Sequence, residues 1–459
     1  MQTLDIAKII DEGPFGRARL AIVVLCFLAV LVDGFDTQAI GYIAPALVAD
    51  WHIDKTALAP VFASSLVGLM FGAFLFGSIS DRKGRKFGLT LSVALFGVFS
   101  LMTAMTHSIT GLLVMRFLTG IGLGGVMPNA VSLTSEYAPS RVRSTVVMVM
   151  FCGFSLGAAL GGIVSPTLLA HYSWRAVLIV GGLAPLILVP LLLLALRESI
   201  DFMVEKQFPR ERIKAALARI APQARIPEDA VFAPRTGRNL RTSIGQLFAG
   251  GRTLLTLSLW TIFFMSLLEL YFISNWLPLL LHQAGLDVRH AVLTSSLFQV
   301  GGTIGTLMLG RFIDRCKPFF VLGVVYIGAA LFVFWVGLTV AGSTTVLSMA
   351  IACTGFCVVG GQIAANALAA RSYPTTIRAT GVGYAFGVGR IGSLVGPFLG
   401  GVLIALKWDP AHIFMLGAIP VLVASCAAMT IHLASTGNRT NPSRAVESSR
   451  RDSASESRG

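Results

Sequence analysis

Apolar runs of about 20 residues recur along almost the whole chain, and each, wound as a helix, is long enough to cross a hydrocarbon layer of roughly 30 Å. They are apolar throughout and do not alternate over roughly ten residues, which excludes the strands of a membrane barrel. A segment in lipid must satisfy its backbone hydrogen bonds internally, so these runs are predicted to be helices. Composition agrees: 55% of residues are hydrophobic and 13% are charged. The expected spans are 20–43, 57–79, 88–106, 110–132, 144–170, 175–196, 253–281, 290–313, 318–340, 344–370, 377–404 and 410–434, which makes an all-α membrane protein. The first run holds Asp33 and Asp36 and lacks a small-residue cleavage site before the next span, so it reads as a retained helix and not as a secretory signal.

The formal net charge of +14 invites a nucleic-acid reading. The placement of the cations argues against it. With the amino terminus in the cytoplasm, Lys and Arg fall on that side except for Lys55, Arg175, Arg289 and Lys407 outside and Arg116 and Arg390 within spans. That asymmetry is what the positive-inside rule requires, and the short loops carrying Arg82, Lys83, Arg85, Lys86, Arg141 and Arg143 obey it by themselves. Both termini are therefore expected in the cytoplasm, with no nucleic-acid partner. Five cysteines lie in spans and Cys316 on a turn, a distribution that offers neither a disulfide framework nor a metal site. Cys353 and Cys357, one helical turn apart without His or acidic company, read as small packing residues.

A polar segment at 197–252, with a short helix expected at 209–220, separates two groups of six spans. The expected organisation is a segment 1–19, a first bundle 20–196, a central loop 197–252, a second bundle 253–434 and a polar, disordered tail 435–459. The halves echo each other. "VGLMFGAFLFGSISDR" (67–82) matches "VGGTIGTLMLGRFIDR" (300–315) at Gly68, Gly72, Gly77, Asp81 and Arg82 against Gly301, Gly305, Gly310, Asp314 and Arg315. Arg143, Gly157 and Gly161 likewise match Arg378, Gly392 and Gly396. Parallel repeats imply two similar bundles about an axis normal to the membrane, with a substrate path between them at mid-depth. Glycines at four-residue spacing allow the close helix contacts that a rocking interface needs.

Two stretches carry the chemistry. In "GSISDRKGRK" (77–86), Gly77 and Gly84 permit a tight turn and close helix approach, while Asp81 beside Arg82 and Arg85 can form a charge lock. It reads as a gate, with Asp314 and Arg315 as its weaker second copy, since "GRFIDRCKP" (310–318) has no counterpart of Gly84. In "LVDGFDTQAI" (31–40), Asp33 and Asp36 share one helix face with Cβ atoms roughly 5–6 Å apart. Each costs about 2.5–3.5 kcal/mol to insert at mid-helix, so they should face a cavity or the bundle interior. Two like charges in a poorly solvated place resist joint ionisation and titrate as a coupled pair, which makes a proton-binding device. The other reading is a structural pair capped by hydroxyls or a buried Arg.

The 77–86 loop resembles the signature between the second and third helices of the major facilitator superfamily. "RFLTGIGLGG" (116–125) and "GFSLGAALGG" (153–162) are similar to its fourth and fifth helices. Within the superfamily, Asp-Gly-Phe-Asp at 33–36 with "MPNAVSLTSEYAPSRVR" (127–143) resembles the aromatic acid:proton symporters, bacterial importers of benzoate-like and hydroxybenzoate-like acids. The likeness runs over about 20–434. It implies a twelve-helix fold of two six-helix bundles, a bacterial cytoplasmic membrane, a small aromatic carboxylate and protons as partners, no cofactor and no enzymatic reaction. It also implies a transport role for Asp33 and Asp36, and substrate or proton coupling for Arg116, whose other reading is a packing role.

Arg390, mid-way along the eleventh span, can offer a bidentate fork to a substrate carboxylate or pair with an intramembrane acid, and Glu269 in the seventh span is the evident acid. Glu269 thereby joins the proton-coupling candidates. Glu136, in the loop after the fourth span amid Arg141 and Arg143, is assigned to the inner gate or to a solvated surface. Flat contacts and hydrogen bonds for an aromatic acid are sought among Phe35, Tyr42, Tyr271, Asn275, Trp276, Gln299, Gln362, Asn366 and Phe386, each of which could equally serve packing. There is no phosphate-binding P-loop to support ATP-driven transport. The expected function is proton-coupled import of an aromatic acid. A proton-coupled exporter of aromatic compounds or drugs and a non-transporting aromatic-acid receptor are the rival readings.

Overall fold

The computed structural model describes residues 3–5, 9–11, 13, 15–220, 231–233, 244–249, 251–315, 317–374 and 377–437. Among the described residues, twelve helices long and apolar enough to span a membrane follow one another. They are α1 Arg17–Trp51, α2 Leu58–Lys83, α3 Arg85–Ala104, α4 Ile109–Tyr137, α5 Arg143–His171 and α6 Trp174–Ala195 in the first half. In the second half they are α7 Thr253–Gln283, α8 Val288–Arg315, α9 Pro318–Thr339, α10 Thr344–Ser372, α11 Arg378–Ala405 and α12 Pro410–Gly437. An even number of crossings brings the start of α1 and the close of α12 to one end of the bundle, called here the terminal end. At 35 residues, α1 is about 52 Å long, well beyond a hydrocarbon core, so it tilts or projects from it. α4 breaks at Gly125 and resumes to Tyr137, so the helix runs past the expected limit of 132 and carries Glu136 on it. The helix expected at 209–220 is present as Arg210–Ile220. The tail beyond Gly437, and with it most of the segment expected to be disordered, lies outside the described residues. A two-stranded parallel ribbon, β1 Thr3–Asp5 with β2 Val231–Ala233, ties the amino terminus to the central segment, Thr3 opposite Val231.

The glycine echo is a contact echo. A Cβ on Gly68 of α2 would lie 2.0 Å from the Phe117 carbonyl oxygen of α4, and one on Gly301 of α8 would lie 2.0 Å from that of Ala352 in α10. In the same way Gly157 of α5 abuts Leu31 of α1, and Gly392 of α11 abuts Phe264 of α7. Side chains at these positions would force backbones apart, so matched glycines give matched helix pairs in the two halves.

The apolar core shows where the halves meet. At the end opposite the termini, residues of the first half such as Ile43, Leu47, Phe62 and Trp174 belong to the same buried cluster as Leu259, Trp276 and Phe298 of the second. Toward the terminal end, the first half has a separate cluster that includes Cys26, Val93, Leu133 and Leu192. The seam is closed by small residues: Cβ atoms added at Gly41 and Gly162 would lie 3.0 Å from the Ser274 carbonyl oxygen and 2.3 Å from the Ser296 Cβ. Trp276, fully buried, packs edge-on against Phe62 with ring centroids 5.1 Å apart and donates its indole N–H to the Pro397 carbonyl at 3.0 Å. The halves are thus joined at the end away from the termini, and α5 and α8 also approach toward the terminal end, where a Cβ on Gly310 would lie 3.6 Å from Met148 Sδ.

Candidate functional site

Asp33 sits about 24 Å along α1 and Arg390 about 18 Å along α11, counting 1.5 Å per residue from Arg17 and Arg378. Both are therefore at mid-depth. The Asp33 side chain is buried, and its Oδ1 accepts one hydrogen bond, from the Thr37 hydroxyl at 3.1 Å. The charges that act on it are those of Asp36 on its own helix and Arg390 across the divide. Arg390 is half-buried and makes no guanidinium hydrogen bond or ion pair among the described residues.

Asp36 has a different environment. Its Oδ2 meets the Arg116 guanidinium at 3.0 Å, its Oδ1 accepts the Ser100 hydroxyl at 2.6 Å, and both side chains of the ion pair are fully buried. Arg116 also reaches the Asp36 carbonyl at 3.4 Å and the Ser65 hydroxyl at 3.5 Å. The two aspartates, adjacent on one helix face, thus have unlike surroundings: Asp36 is fixed inside the first half by α3 and α4, and Asp33 has one weak neutral partner. Arg116, expected to act on substrate or protons, is occupied in this arrangement.

Glu269 is not the partner of Arg390: no ion pair joins them among the described residues. Its carboxylate is fully buried against α12, close enough that a Cβ on Gly417 would lie 3.0 Å from Oε1. Neither carboxylate oxygen has a hydrogen-bond partner among the described residues. The reason is rotational: Glu269 lies on the face of α7 that packs with Phe272 against α12, away from the first half.

The remaining candidates divide into engaged and available groups. Tyr42 donates to the Ala158 carbonyl of α5 at 2.9 Å, Phe35 rests against Gly161 and Gly181, and Trp276 closes the seam, so these three serve packing. In the second half, Gln362 accepts from the Ser266 hydroxyl and donates to Asn366 Oδ1 at 3.1 Å. Gln299 donates to the Ser274 hydroxyl at 3.5 Å, and Asn275 donates to its own helix at Tyr271 O, 2.7 Å away. Tyr271, Asn366 and Phe386 are half-buried, Phe386 edge-on to Phe263 at 5.2 Å. The amides among these candidates, Asn275, Gln299, Gln362 and Asn366, all lie in the second half.

At the terminal end, Arg85 links Asp81 at 3.0 Å and Glu136 at 3.8 Å, with Ser132 between. Glu136 thus pairs with Arg85, while Arg141 is exposed and Arg143 faces Asp11 at 3.7 Å. Arg82 is exposed as well, and a Cβ on Gly77 would meet open space, so that glycine is not required for close approach. Gly84 is required. It has φ of +102°, and a Cβ there would fall 2.1 Å from the carboxylate of Glu198, whose Oε1 accepts the Lys86 N–H at the start of α3. Glu198 was not singled out by the sequence, although an acid just after the sixth span among cations is its visible signal. Asp314 and Arg315 end α8, and their side chains lie outside the described residues.

Residues 26–350 and 259–455 match the Major Facilitator Superfamily profile. The chain is 40% identical to the 4-hydroxybenzoate transporter PcaK of Pseudomonas aeruginosa over 94% of this chain and 96% of that one. It is 39% identical to a gallate transporter of Pseudomonas putida, over 93% and 94%. Among solved structures, the partially occluded inward open xylose transporter XylE of E. coli superposes with a TM-score of 0.69 at 18% identity, covering 90% of this chain and 97% of that one. Twelve apolar helices, two glycine-matched halves and these likenesses agree: the protein is a multi-pass transporter and not an enzyme, and it belongs to the major facilitator superfamily, in its family of aromatic acid transporters.

Proposed function

We propose that the protein is a symporter that imports a small aromatic carboxylate, of the benzoate or hydroxybenzoate type, together with protons. The observation that carries this reading is that Asp33 and Arg390 lie at mid-depth in opposite halves, each without an ion pair among the described residues, while Asp36 and Arg116 hold each other. With Asp33 ionised, Arg390 has a resident counter-charge. Once Asp33 takes up a proton, the guanidinium fork is free for the substrate carboxylate, which it can hold by two parallel hydrogen bonds. Proton and substrate then load together, and the neutralised centre lets the halves rock. The relatives named above are transporters of 4-hydroxybenzoate and gallate, which supports an aromatic acid as cargo. The half-buried Phe386 and Tyr271 offer flat contacts for its ring, and Asn366, Gln362 and Gln299 offer hydrogen bonds to its substituents.

The cation distribution supports a cytoplasmic location for both termini in a bacterial cell, with the end joined through Phe62 and Trp276 external. With one proton per monoanion the cycle is electroneutral, and each unit of pH difference supplies about 1.4 kcal/mol, a tenfold accumulation. The Arg85, Asp81 and Glu136 cluster, with Glu198 beneath Gly84, acts as the inner gate.

The test is uptake of labelled benzoate, 4-hydroxybenzoate and gallate by cells expressing the protein, with and without a protonophore, beside vesicle counterflow under an imposed pH gradient. Inward accumulation of one of these acids that the protonophore abolishes is the expected result. Outward pumping, or accumulation indifferent to the protonophore, overturns the reading.

A further inference from the structure

Between α7, α11 and α12, on the side of the second half away from Arg390, lies a cavity of about 140 Å³. Its walls are Phe272, Leu399, Leu403, Leu416, Ile419 and Pro420. Its rim includes Ile419, 54% exposed on a surface that also shows Val402 and Leu422, so it opens sideways into hydrocarbon and not into a central path. The volume is that of a benzene ring: an apolar cavity on the order of 150 Å³ admits benzene.

An apolar void of this kind needs no explanation by itself, but this one also holds an acid. Glu269 lines the cavity, and its carboxyl is wholly buried, with no hydrogen-bond partner for either oxygen among the described residues. It lies mid-way along α7, about 24 Å from Thr253 and 21 Å from Gln283, so water reaches it from neither end directly. Gly417 leaves room for the carboxyl, since a Cβ there would press on Oε1 at 3.0 Å. An unpaired buried carboxylate costs several kcal/mol, and a ligand with N–H donors on a ring-sized apolar body would both fill the cavity and give the acid a partner.

We infer that this cavity is a lateral site for a small aralkyl amine, which enters from the bilayer and is held with one proton shared between its nitrogen and the Glu269 carboxyl group. The transport reading above does not depend on it. Benzylamine is the probe, with toluene and benzyl alcohol as neutral controls, and the readouts are thermal shift and direct binding on the full-length protein in detergent. The expected result is saturable binding of benzylamine that does not displace labelled 4-hydroxybenzoate or benzoate. Binding falls at least tenfold in Glu269→Gln, and equally in Ile419→Trp, which covers the rim from the lipid side. Should Glu269→Gln fail to fold, Ile419→Trp decides alone. Benzylamine binding that is unchanged in the folded variants, matched by toluene and benzyl alcohol, or competitive with the aromatic acids overturns the inference, as does an absence of binding to the wild type.

Discussion

Substituting Arg116 by alanine separates a scaffold from a ligand. Its ion pair with Asp36 is 3.0 Å long and both side chains are fully buried, so removal of the guanidinium strands a carboxylate that retains only the Ser100 hydroxyl. Breaking one side of a buried pair costs about 3–5 kcal/mol. For a folding unit of roughly 150–250 residues each kcal/mol moves the melting point about 2–4 °C, so Arg116→Ala should melt about 6–20 °C lower. Asp36→Asn should fall by a similar amount. The double variant Asp36→Asn/Arg116→Met leaves no unpaired charge and should recover most of the loss, giving a coupling energy of at least about 2 kcal/mol in the cycle. Thermal unfolding in detergent, followed by tryptophan fluorescence and size-exclusion chromatography, measures all four proteins. If Arg116→Ala melts within about 2 °C of the wild type, or if the double variant loses the sum of the singles, the pair is not a scaffold. A substrate ligand would show the opposite pattern, a raised KM in a protein of normal stability.

Asp33→Asn removes a charge but keeps the Thr37 contact possible, so it should melt within about 1–2 °C of the wild type while losing protonophore-sensitive accumulation; normal uphill uptake by this variant refutes the coupling role. Gly84→Ala should destabilise by about 1–3 kcal/mol, because φ of +102° strains alanine and its Cβ strikes Glu198, and adding Glu198→Ala should restore part of the loss in the same melting assay. A Cβ on Gly401 would lie 2.6 Å from Ala59 Cβ across the seam. An Ala59→Cys/Gly401→Cys pair therefore needs about 1 Å of separation to reach disulfide geometry. Oxidation should stop uptake and reduction restore it, whereas uptake by the crosslinked protein shows that the seam need not open.

The span pattern was legible because hydrocarbon imposes it, yet helix ends were not: α1 continues from Arg17 to Trp51 and α4 to Tyr137, since a helix need not stop where apolarity does. The repeat was legible to the level of contact, because Gly68 and Gly301 are constrained by the same close approach. Partners of the charges were not legible. Asp36 and Arg116 lie 80 residues apart, and an intramembrane charge signals that it needs company without saying whose. Ser100 could not be told from Ser92 or Thr103, hydroxyls in the same helix that return to carbonyls four residues back. Which way Glu269 turns depends on Gly417 in the last helix, a glycine that carries no such signal in isolation.

The buried cluster shared by the two halves makes this orientation a thermally tunable one. Parting Phe62 from Trp276, and the aliphatic groups around them, wets surface that is now dry, and hydrating such surface raises heat capacity. The balance between the two orientations therefore bends with temperature, and so should the turnover rate on a logarithmic plot against reciprocal temperature. Polar substitutions along that contact would flatten the bend and hold the empty carrier with its opposite mouth agape.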